Sequence, residues 1–474
     1  MDSVKGFEGV ESVVFQKEMK KLTKISDFSG KNYGSGNEIE DLKKSLEKMM
    51  LESVNIQEKG VFLREKGSEG SYEANLNDKD VLKNNKKDSN FRNIKYYEPK
   101  DYGLYVNGKA VWRKNYDEYF VLSTFISHTL KHIMPTNEEI SQKERFRFFL
   151  SEILNTCRPS AKLVLFGSVA SGLAIVNSDM DFCVMDDSLD LHTDEFLKIF
   201  SEEIKKYGME TTLLFRTRVS IIKVNSKGSF NFPQGISCDI GFNNKLAIYN
   251  TKLLATYSKC DHRVRKIILF VKYWAKRRKI NDPYHGTLSS YGYVLLILHY
   301  LINIVPIPLL PNLQQMKVAS WRSIPQSEIE CDGYNVWFYK DIDISCSFSN
   351  NTDSLGKLVY GFFYYYAYQF NWKDHVVSIR TQTGLLTKQE KGWTQAMERV
   401  FVSDKIFKDR YILAIEDPFE ITHNVGRTVN KQSSHIIRGE FFRASKLSSS
   451  KLRKKIFNEL CEERIIINNF SNVI

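Results

Sequence analysis

Over roughly the first hundred positions, polar residues dominate and apolar ones show no sustained period, apart from a weak helical repeat over Ile39–Leu51. Lys, Glu, Asn, Ser and Gly make up most of this stretch, with charges of both signs interspersed. Such a chain buries too little apolar surface to offset the conformational entropy of folding. Residues 1–110 are therefore expected to form a mostly disordered extension. At Tyr116 the pattern changes. Phe120, Val121, Phe125, Ile126 and Leu130, and then Phe146, Phe149 and Ile153, recur at helical spacing and predict two helices before Leu154. Short apolar and β-branched runs follow, predicting strands at Leu163–Phe166, Phe182–Met185, Val219–Val224 and Ile236–Phe242. One helix interrupts them at Asp194–Tyr207, with Thr193 as its N-cap and Asp194 and Glu195 in its first turn. From Ala247 the helical period returns over Thr251–Ser258, Arg263–Arg278, Ser289–Ile304 and Gly356–Phe370. The predicted class is α+β, with two lobes. A mixed-sheet lobe spans 111–246, its first helix packing on a helical lobe at 247–445, and a basic tail follows at 446–474.

Composition narrows the function. With 474 residues, 42% of them hydrophobic and 13% aromatic, the chain can bury the cores of two or three domains. Its formal charge of +12 favours a polyanionic partner, because Lys and Arg neutralise phosphates and release condensed counterions. Residues 1–100 hold 19 Lys and Arg against 18 Asp and Glu, so the excess lies almost wholly in the folded part. Seven cysteines without CxxC spacing argue against zinc ribbons and a disulfide framework, and read as reduced thiols. The start MDSVKGFEGVESVVF lacks a basic segment followed by an apolar one, so a cytoplasmic location is expected. The most apolar run, Tyr291–Leu310, is broken by His299, Asn303, Pro306 and Pro308, and reads as a buried helix, not a membrane span.

The chemistry concentrates in LVLFGSVASGLAIVNSDMDFCVMD. A predicted strand runs into Gly167-Ser168, and after ten intervening residues Asp179-Met180-Asp181 enters the next strand. Glycine there lets backbone approach a ligand closely, while Ser168 offers its N–H and hydroxyl to a terminal phosphate. Carboxylates two apart on a strand share a face and can grip the same ions, and Mg2+ favours such oxygen ligands together with substrate phosphates. Asp239, in ISCDIGF, is flanked by apolar residues, a costly place for a lone charge unless it completes a metal site. A DxD pair alone is more often a solvated turn. Reading Gly167–Gly172 as a Walker loop fails, because Leu173 stands where lysine is required.

Together the GS pair, the DxD and the later Asp resemble the nucleotidyltransferase superfamily that includes DNA polymerase beta and the poly(A) polymerases. Further on, CDIGFNNKLAIYNTKLL, VKYWAKRRKIN, GTLSSYGYVLLILHYL, LTKQEKGWT and IEDPFEITHNVGRTV resemble the caffeine-induced-death-suppressor type of terminal uridylyltransferase. The resemblance runs from about Tyr116 to Phe442. It implies a cleft between a catalytic lobe and a poly(A)-polymerase-associated helical lobe, addition of UMP from UTP to RNA 3′ ends (mRNA or small RNA), and two Mg2+ or Mn2+ ions held by Asp179, Asp181 and Asp239. By the same resemblance, Gly167, Ser168 and Ser290 meet phosphate, Asn250 and Thr251 read the ribose, and Tyr291 stacks on the base. Lys272 and Lys276, four apart on one helical face, fit the triphosphate. Asp417–Arg427 matches the nucleotide-recognition motif: Asp417 and Glu420 orient the base and pocket, and His423 matches the histidine that separates uridylyl- from adenylyltransferases. A histidine at the pocket edge can donate to uracil O4 and crowds a purine.

RNA contacts have weaker support in the sequence. Arg216, Arg218 and Lys223, and the run Arg277-Arg278-Lys279, are candidates to track phosphates, although basic runs usually form solvated faces. The aromatic run Phe362–Phe370 reads as core. Two alternatives stand beside uridylyl transfer: a cytoplasmic poly(A) polymerase using ATP, which shares every feature but the base preference, and a catalytically inactive RNA-binding scaffold, which would need no cluster of like charges.

Overall fold

The computed structural model describes residues 104–106, 109–111, 118–186, 193–215, 220–227, 229, 231–232, 234–316, 324–342, 348–381, 386–400, 406–449 and 457–464. All lie within one compact unit, Phe91–Ile474. Leu104–Val106 (β1) and Lys109–Val111 (β2) pair antiparallel. This hairpin falls inside what composition assigns to a disordered extension, and the local pattern LYV-NG-KAV, an Asn-Gly pair between two short apolar runs, is the signal that composition hides. The rest of the predicted extension lies outside the described residues.

The two helices expected next are Phe120–Ile133 (α1) and Asn137–Cys157 (α2). Thr136 caps α2 by accepting from Glu139 N at 3.1 Å. Lys162–Phe166 (β3), the single turn Gly167–Ala170 (α3), Met180–Met185 (β4), Thr193–Lys205 (α4), Glu210–Leu214 (β5), Ile221–Asn225 (β6) and Ser237–Phe242 (β7) complete the first lobe. The strands form one sheet in the order β3-β4-β7-β6-β5, with β4 and β7 parallel and the other pairs antiparallel. Strand β5 was not anticipated. Its sequence, ETTLL, buries no side chain fully at the sheet edge, so it lacks the apolar alternation that marks the other strands.

Alternation sets the function of each face. Met180, Phe182 and Val184 of β4, Ile222 and Val224 of β6, and Cys238, Ile240 and Phe242 of β7 pack with Phe146, Leu150 and Ile153 of α2 and Phe196, Leu197 and Phe200 of α4. Burying each large side chain of this kind contributes about 1.5–3 kcal/mol. The intervening positions, Asp181, Lys223 and Asp239, are thereby turned to the opposite face.

The second lobe begins at Lys245–Cys260 (α5) and continues through His262–Arg277 (α6), Ser290–His299 (α7), Leu355–Tyr364 (α8) and Lys431–Ser448 (α9). Its core takes in Leu122, Phe125, Ile126, Leu130 and Ile133, so α1 packs on the helical lobe. Helices α7 and α8 run on as wider π-helical turns, Tyr300–Ile304 and Tyr365–Gln369, and Trp372 Nε1 donates to Tyr366 O at 3.0 Å within the second. Phe362, Phe363, Tyr365, Tyr366 and Phe370 are buried, in keeping with a core role. No helix among the described residues is long and apolar enough to cross a membrane.

The C-terminal part departs from the sequence reading at two points. Helix α9 extends past the predicted boundary at 445, and Phe457, Leu460 and Cys461 are buried in the helical core, so residues 457–464 are not a free basic tail. The basic run Arg277-Arg278-Lys279 is consumed in anchoring that segment. Arg277 donates to Cys461 O and Glu463, Arg278 grips the buried Glu440 with two nitrogens and reaches Glu462 O, and Lys279 pairs with Glu463. Paired guanidinium groups of this kind are not open to track phosphates.

Candidate active site

The site starts where β3 ends. Gly167 has φ +73°, and a Cβ added there would lie 2.1 Å from Asp181 Oδ2, so conformation and space both require glycine. Its N–H donates to Thr251 Oγ1 at 2.9 Å, and Thr251 in turn donates to Ala247 O at 2.7 Å. Thr251, expected to read a ribose, here ties the first turn of the site to α5. The Ser168 N–H, expected to face phosphate, hydrogen-bonds Asp181.

The loop from Ser171 to Asp179 is pinned at four points. Arg265 Nε donates to Gly172 O at 2.8 Å and Lys272 Nζ to Leu173 O at 2.5 Å. Lys143 Nζ donates to Ser178 O at 2.7 Å, and Glu139 accepts from Asn177 N at 3.0 Å. Asp179 therefore enters β4 from a braced turn, immediately before the strand's first residue.

Asp181 and Asp239 are direct register partners on the parallel strands β4 and β7. Burial pushes the Asp181 carboxyl up to about 6, helped by the charges of Asp239 and Asp179 and opposed by Lys272 and the Ser168 N–H. Burial lowers the Lys272 ammonium to about 8, with Asp181 opposing and Lys276 reinforcing that shift. Lys223, an expected RNA contact, is the register partner of Asp239 and pairs with its Oδ2 at 3.2 Å. Arg216 and Arg218 lie outside the described residues.

Among the described residues, no three His, Cys, Asp or Glu side chains are arranged to hold a metal ion by themselves. Hard divalent ions in phosphate-transfer sites are instead held by one or two carboxylates, the rest of the sphere being water and substrate oxygens. Two adjacent carboxylates, one of them largely desolvated and raised by its acidic neighbours, fit that donor set.

Across from the sheet, a cleft of about 510 Å³ has in its lining Gly167, Ser168, Asp179, Asp181, Asn250, Thr251, Lys272, Lys276, Asn281, Ser290 and Tyr291. All of these but Asn281 are candidates on the sequence alone. Asn281 gave no such signal, since it shows its part only through its neighbours: it accepts from Ser290 Oγ at 2.9 Å while donating to Leu288 O at 3.0 Å. Asp239, Asp417, Glu420 and His423 are not part of this lining, although Asp239 stands next to Asp181 on the neighbouring strand. Asp417 joins it indirectly: Oδ2 accepts from Tyr291 Oη at 3.0 Å and from Asn250 Nδ2 at 3.3 Å, while Oδ1 accepts from Phe419 N and Glu420 N at 3.0 Å. With both oxygens engaged, Asp417 positions Tyr291 and Asn250, both residues of the cleft lining, and Asn250 Oδ1 is buried without a partner. Half-buried His423 is held by its backbone, accepting from Asp417 N and donating to Glu420 O.

A phosphate-sized turn, paired acids on a mixed sheet and a helical wall carrying lysines define a two-lobed nucleotidyltransferase. Family comparison agrees. Residues 122–259 match the central palm domain of mitochondrial-like poly(A) RNA polymerases, and residues 354–423 match the Cid1 family poly A polymerase model. The chain is similar to terminal uridylyltransferase cid1 of Schizosaccharomyces pombe, 43% identical over 360 residues covering 76% of this chain and 87% of that protein. It is also similar to poly(A) RNA polymerase cid11 of the same yeast, 34% identical over 340 residues covering 70% of this chain and 63% of that one. A solved Cid1 structure, described in terms of RNA terminal uridylyl transferase activity, matches with a TM-score of 0.66 at 45% identity, covering 73% of this chain and 98% of its own. Other Cid1 structures hold a UTP analogue, the short product ApU, or Mg with 3′-dATP. The chain belongs to the Cid1 family of RNA nucleotidyltransferases.

Proposed function

We propose that this protein is a template-independent RNA 3′-terminal uridylyltransferase, adding UMP from UTP to the 3′ ends of mRNA or small RNA. The observation that carries the reading is the parallel register of Asp181 with Asp239, which sets a second carboxylate next to the one that lines the cleft beside the Gly167-Ser168 turn. Identity of 43% with a uridylyltransferase, against 34% with a poly(A) polymerase, favours UTP over ATP.

In this reading the RNA 3′-hydroxyl oxygen attacks the α-phosphorus in line, a new P–O bond forms, the bond to the β-phosphate oxygen breaks and pyrophosphate leaves. Asp179, Asp181 and Asp239 would hold two Mg2+ or Mn2+ ions, which when bound stabilise the attacking and leaving oxygens. Asp239, half-exposed and adjacent to Lys223, positions the 3′-hydroxyl and accepts its proton. Lys272 and Lys276 hold the triphosphate, with Lys272 fixed by Leu173 O. Ser168 and Ser290 meet phosphate oxygens, and the buried, unpartnered Oδ1 of Asn250 accepts a ribose hydroxyl. Tyr291, fixed through its hydroxyl by Asp417, stacks on the base, a contact worth about 1–3 kcal/mol. Glu420 and His423 then select uracil. We place the protein in the cytoplasm, by analogy with a similar solved structure, that of a cytoplasmic RNA terminal U-transferase.

The test is extension of a short labelled RNA with Mg2+ at fixed salt, offering each nucleoside triphosphate alone. Preferential tailing with UTP is expected. Preferential tailing with ATP would leave the three-acid chemistry standing and overturn the role given to His423.

A further inference from the structure

Glu416 immediately precedes the recognition segment and is sealed from solvent. Its backbone is fixed, since its N–H donates to Val377 O at 2.9 Å and the residue bridges to Asn424 on the far side of the loop. Its carboxylate is saturated. Oε2 accepts from Ser378 Oγ at 2.7 Å and Arg380 Nε at 3.1 Å, and Oε1 accepts from Arg380 Nη2 at 2.9 Å and Lys391 Nζ at 2.7 Å. Arg380 alone supplies the counter-charge and a two-pronged grip, so Lys391 is surplus for neutralising Glu416.

The surplus ammonium has a second acceptor. Lys391 Nζ donates to Ile421 O at 2.6 Å, at the exposed tip of the same loop and two residues before His423. The lysine is itself held on a rigid base, lying 4.8 Å over the ring of Trp393, which stacks on Tyr411 in a small separate core with Val376 and Ala414. The chain from Asp417 to His423 is thus spanned by one cation, tied at its root to Glu416 and at its tip to Ile421.

We propose that Lys391 is a specificity-positioning residue: by bridging the Glu416 carboxylate and the Ile421 carbonyl, it fixes the distance between Asp417 and His423 and so the shape of the base pocket. It touches neither nucleotide nor RNA and acts through the loop. The inference rests on the uridylyltransferase reading of the site. Without Lys391, Glu416 keeps Arg380 and Ser378, so the fold is retained, while Ile421 O loses its charged donor and the loop tip loosens.

The experiment compares wild type, Lys391→Met and Lys391→Arg in steady-state extension of one RNA with UTP and with ATP, alongside thermal melts. Because hydrogen bonds from a charged donor are among the stronger ones, Lys391→Met is expected to raise KM for UTP about fivefold or more and to lower the UTP-to-ATP ratio of kcat/KM comparably, with kcat within about twofold. Lys391→Arg, which can still bridge both acceptors, is expected to restore at least half of the ratio. An unchanged ratio and KM in a folded Lys391→Met protein overturns the proposal, as does a loss confined to kcat. If Lys391→Met does not fold, Lys391→Gln, which can reach one acceptor but not both, is judged by the same two outcomes. Failure of the functional reading shows separately, as a wild-type enzyme with no preference for UTP, and the KM shift for whichever nucleotide it uses then decides the inference.

Discussion

On the sheet side of the cleft, Asp181 lies beside Asp239 with Asp179 close by, and the nearby cations do not balance them: Lys272 spends its short hydrogen bond on Leu173 O and Lys223 makes a half-exposed pair with Asp239. On the loop side, Glu416 and Asp417 are at least as deeply buried, yet every carboxylate oxygen accepts hydrogen bonds from fixed donors. Burial pushes the Glu416 carboxyl up, but the hydrogen bonds from Arg380, Lys391 and Ser378 outweigh it and hold the group below the ordinary carboxylate range. The Asp417 carboxyl is raised by burial, which its hydrogen bonds oppose, and the Asp181 carboxyl, through burial and the charges of Asp239 and Asp179 beside it, rises to about 6. Unmet charge marks the wall where cations and phosphates are to bind, and satisfied charge marks the wall that must keep its shape to choose a base.

The widest separation between the walls comes from removing the acids. Asp181→Asn or Asp239→Asn should lower RNA extension by about a thousandfold or more, since metal-stabilised charge supplies most of the barrier reduction in this chemistry. The same changes relieve like-charge repulsion, so melting temperature without divalent metal should hold or rise. A lower melting temperature together with retained extension would mean that these acids are structural. Next in size is Gly167→Ala. Strain at φ +73° and a Cβ 2.1 Å from Asp181 Oδ2 should displace that carboxylate, costing about a hundredfold in kcat with a smaller effect on UTP affinity. Equal losses of extension with Gly167→Ala and Gly172→Ala, whose Cβ would meet nothing, would remove the argument from close approach.

The loop side predicts a change of preference, not of rate. His423→Asn should shift the UTP-to-ATP ratio of kcat/KM by about tenfold toward ATP, with kcat for the preferred nucleotide within a few-fold of wild type. Parallel primer extensions with each nucleotide give the ratio directly. A collapse of kcat with both nucleotides would place His423 in the chemistry of the sheet wall and erase the distinction.

The sheet wall was the more legible of the two in sequence. Alternation along MDFCVM and SCDIGF places Asp181 and Asp239 on one face, and a Gly before the DxD announces a tight turn. The sequence pattern could not show that Asp181 and Asp239 are register partners, because pairing of distant strands depends on the whole sheet. Braces such as Glu139 and Lys143 were invisible for the same reason: their partners, Asn177 N and Ser178 O, are backbone atoms that any residue type would supply. On the loop wall, the motif from Asp417 to Arg427 was recognised by family resemblance; Lys391 lies inside LTKQEKGWT, another stretch that carries the resemblance, but that stretch gave it no role, and Arg380 and Ser378 look like ordinary polar residues until tertiary structure sets all three around Glu416.

Acidity should act on Asp181 and Glu416 in opposite directions, by the smallest amounts considered. The Asp181 carboxyl stands at about 6 in the folded protein against 3.8 in the unfolded chain, so between those values the folded state binds more protons and metal-free stability falls as pH rises. Glu416 is held below its unfolded value of 4.5, so its stabilisation is complete above that pH and is lost as pH falls through the folded value. Compared with Asp181→Asn, which leaves the other titrating groups in place, wild type without divalent metal should therefore lose a few degrees of melting temperature between about pH 4 and about pH 6, and added Mg2+ should offset that loss at the upper end. On the acid side, Glu416→Gln should start less stable and show a shallower loss, since the group whose protonation drives that limb is gone. If Asp181→Asn leaves the slope between about pH 4 and about pH 6 unchanged while Glu416→Gln alters it, the strained carboxylate lies on the loop wall and the roles of the two walls are reversed.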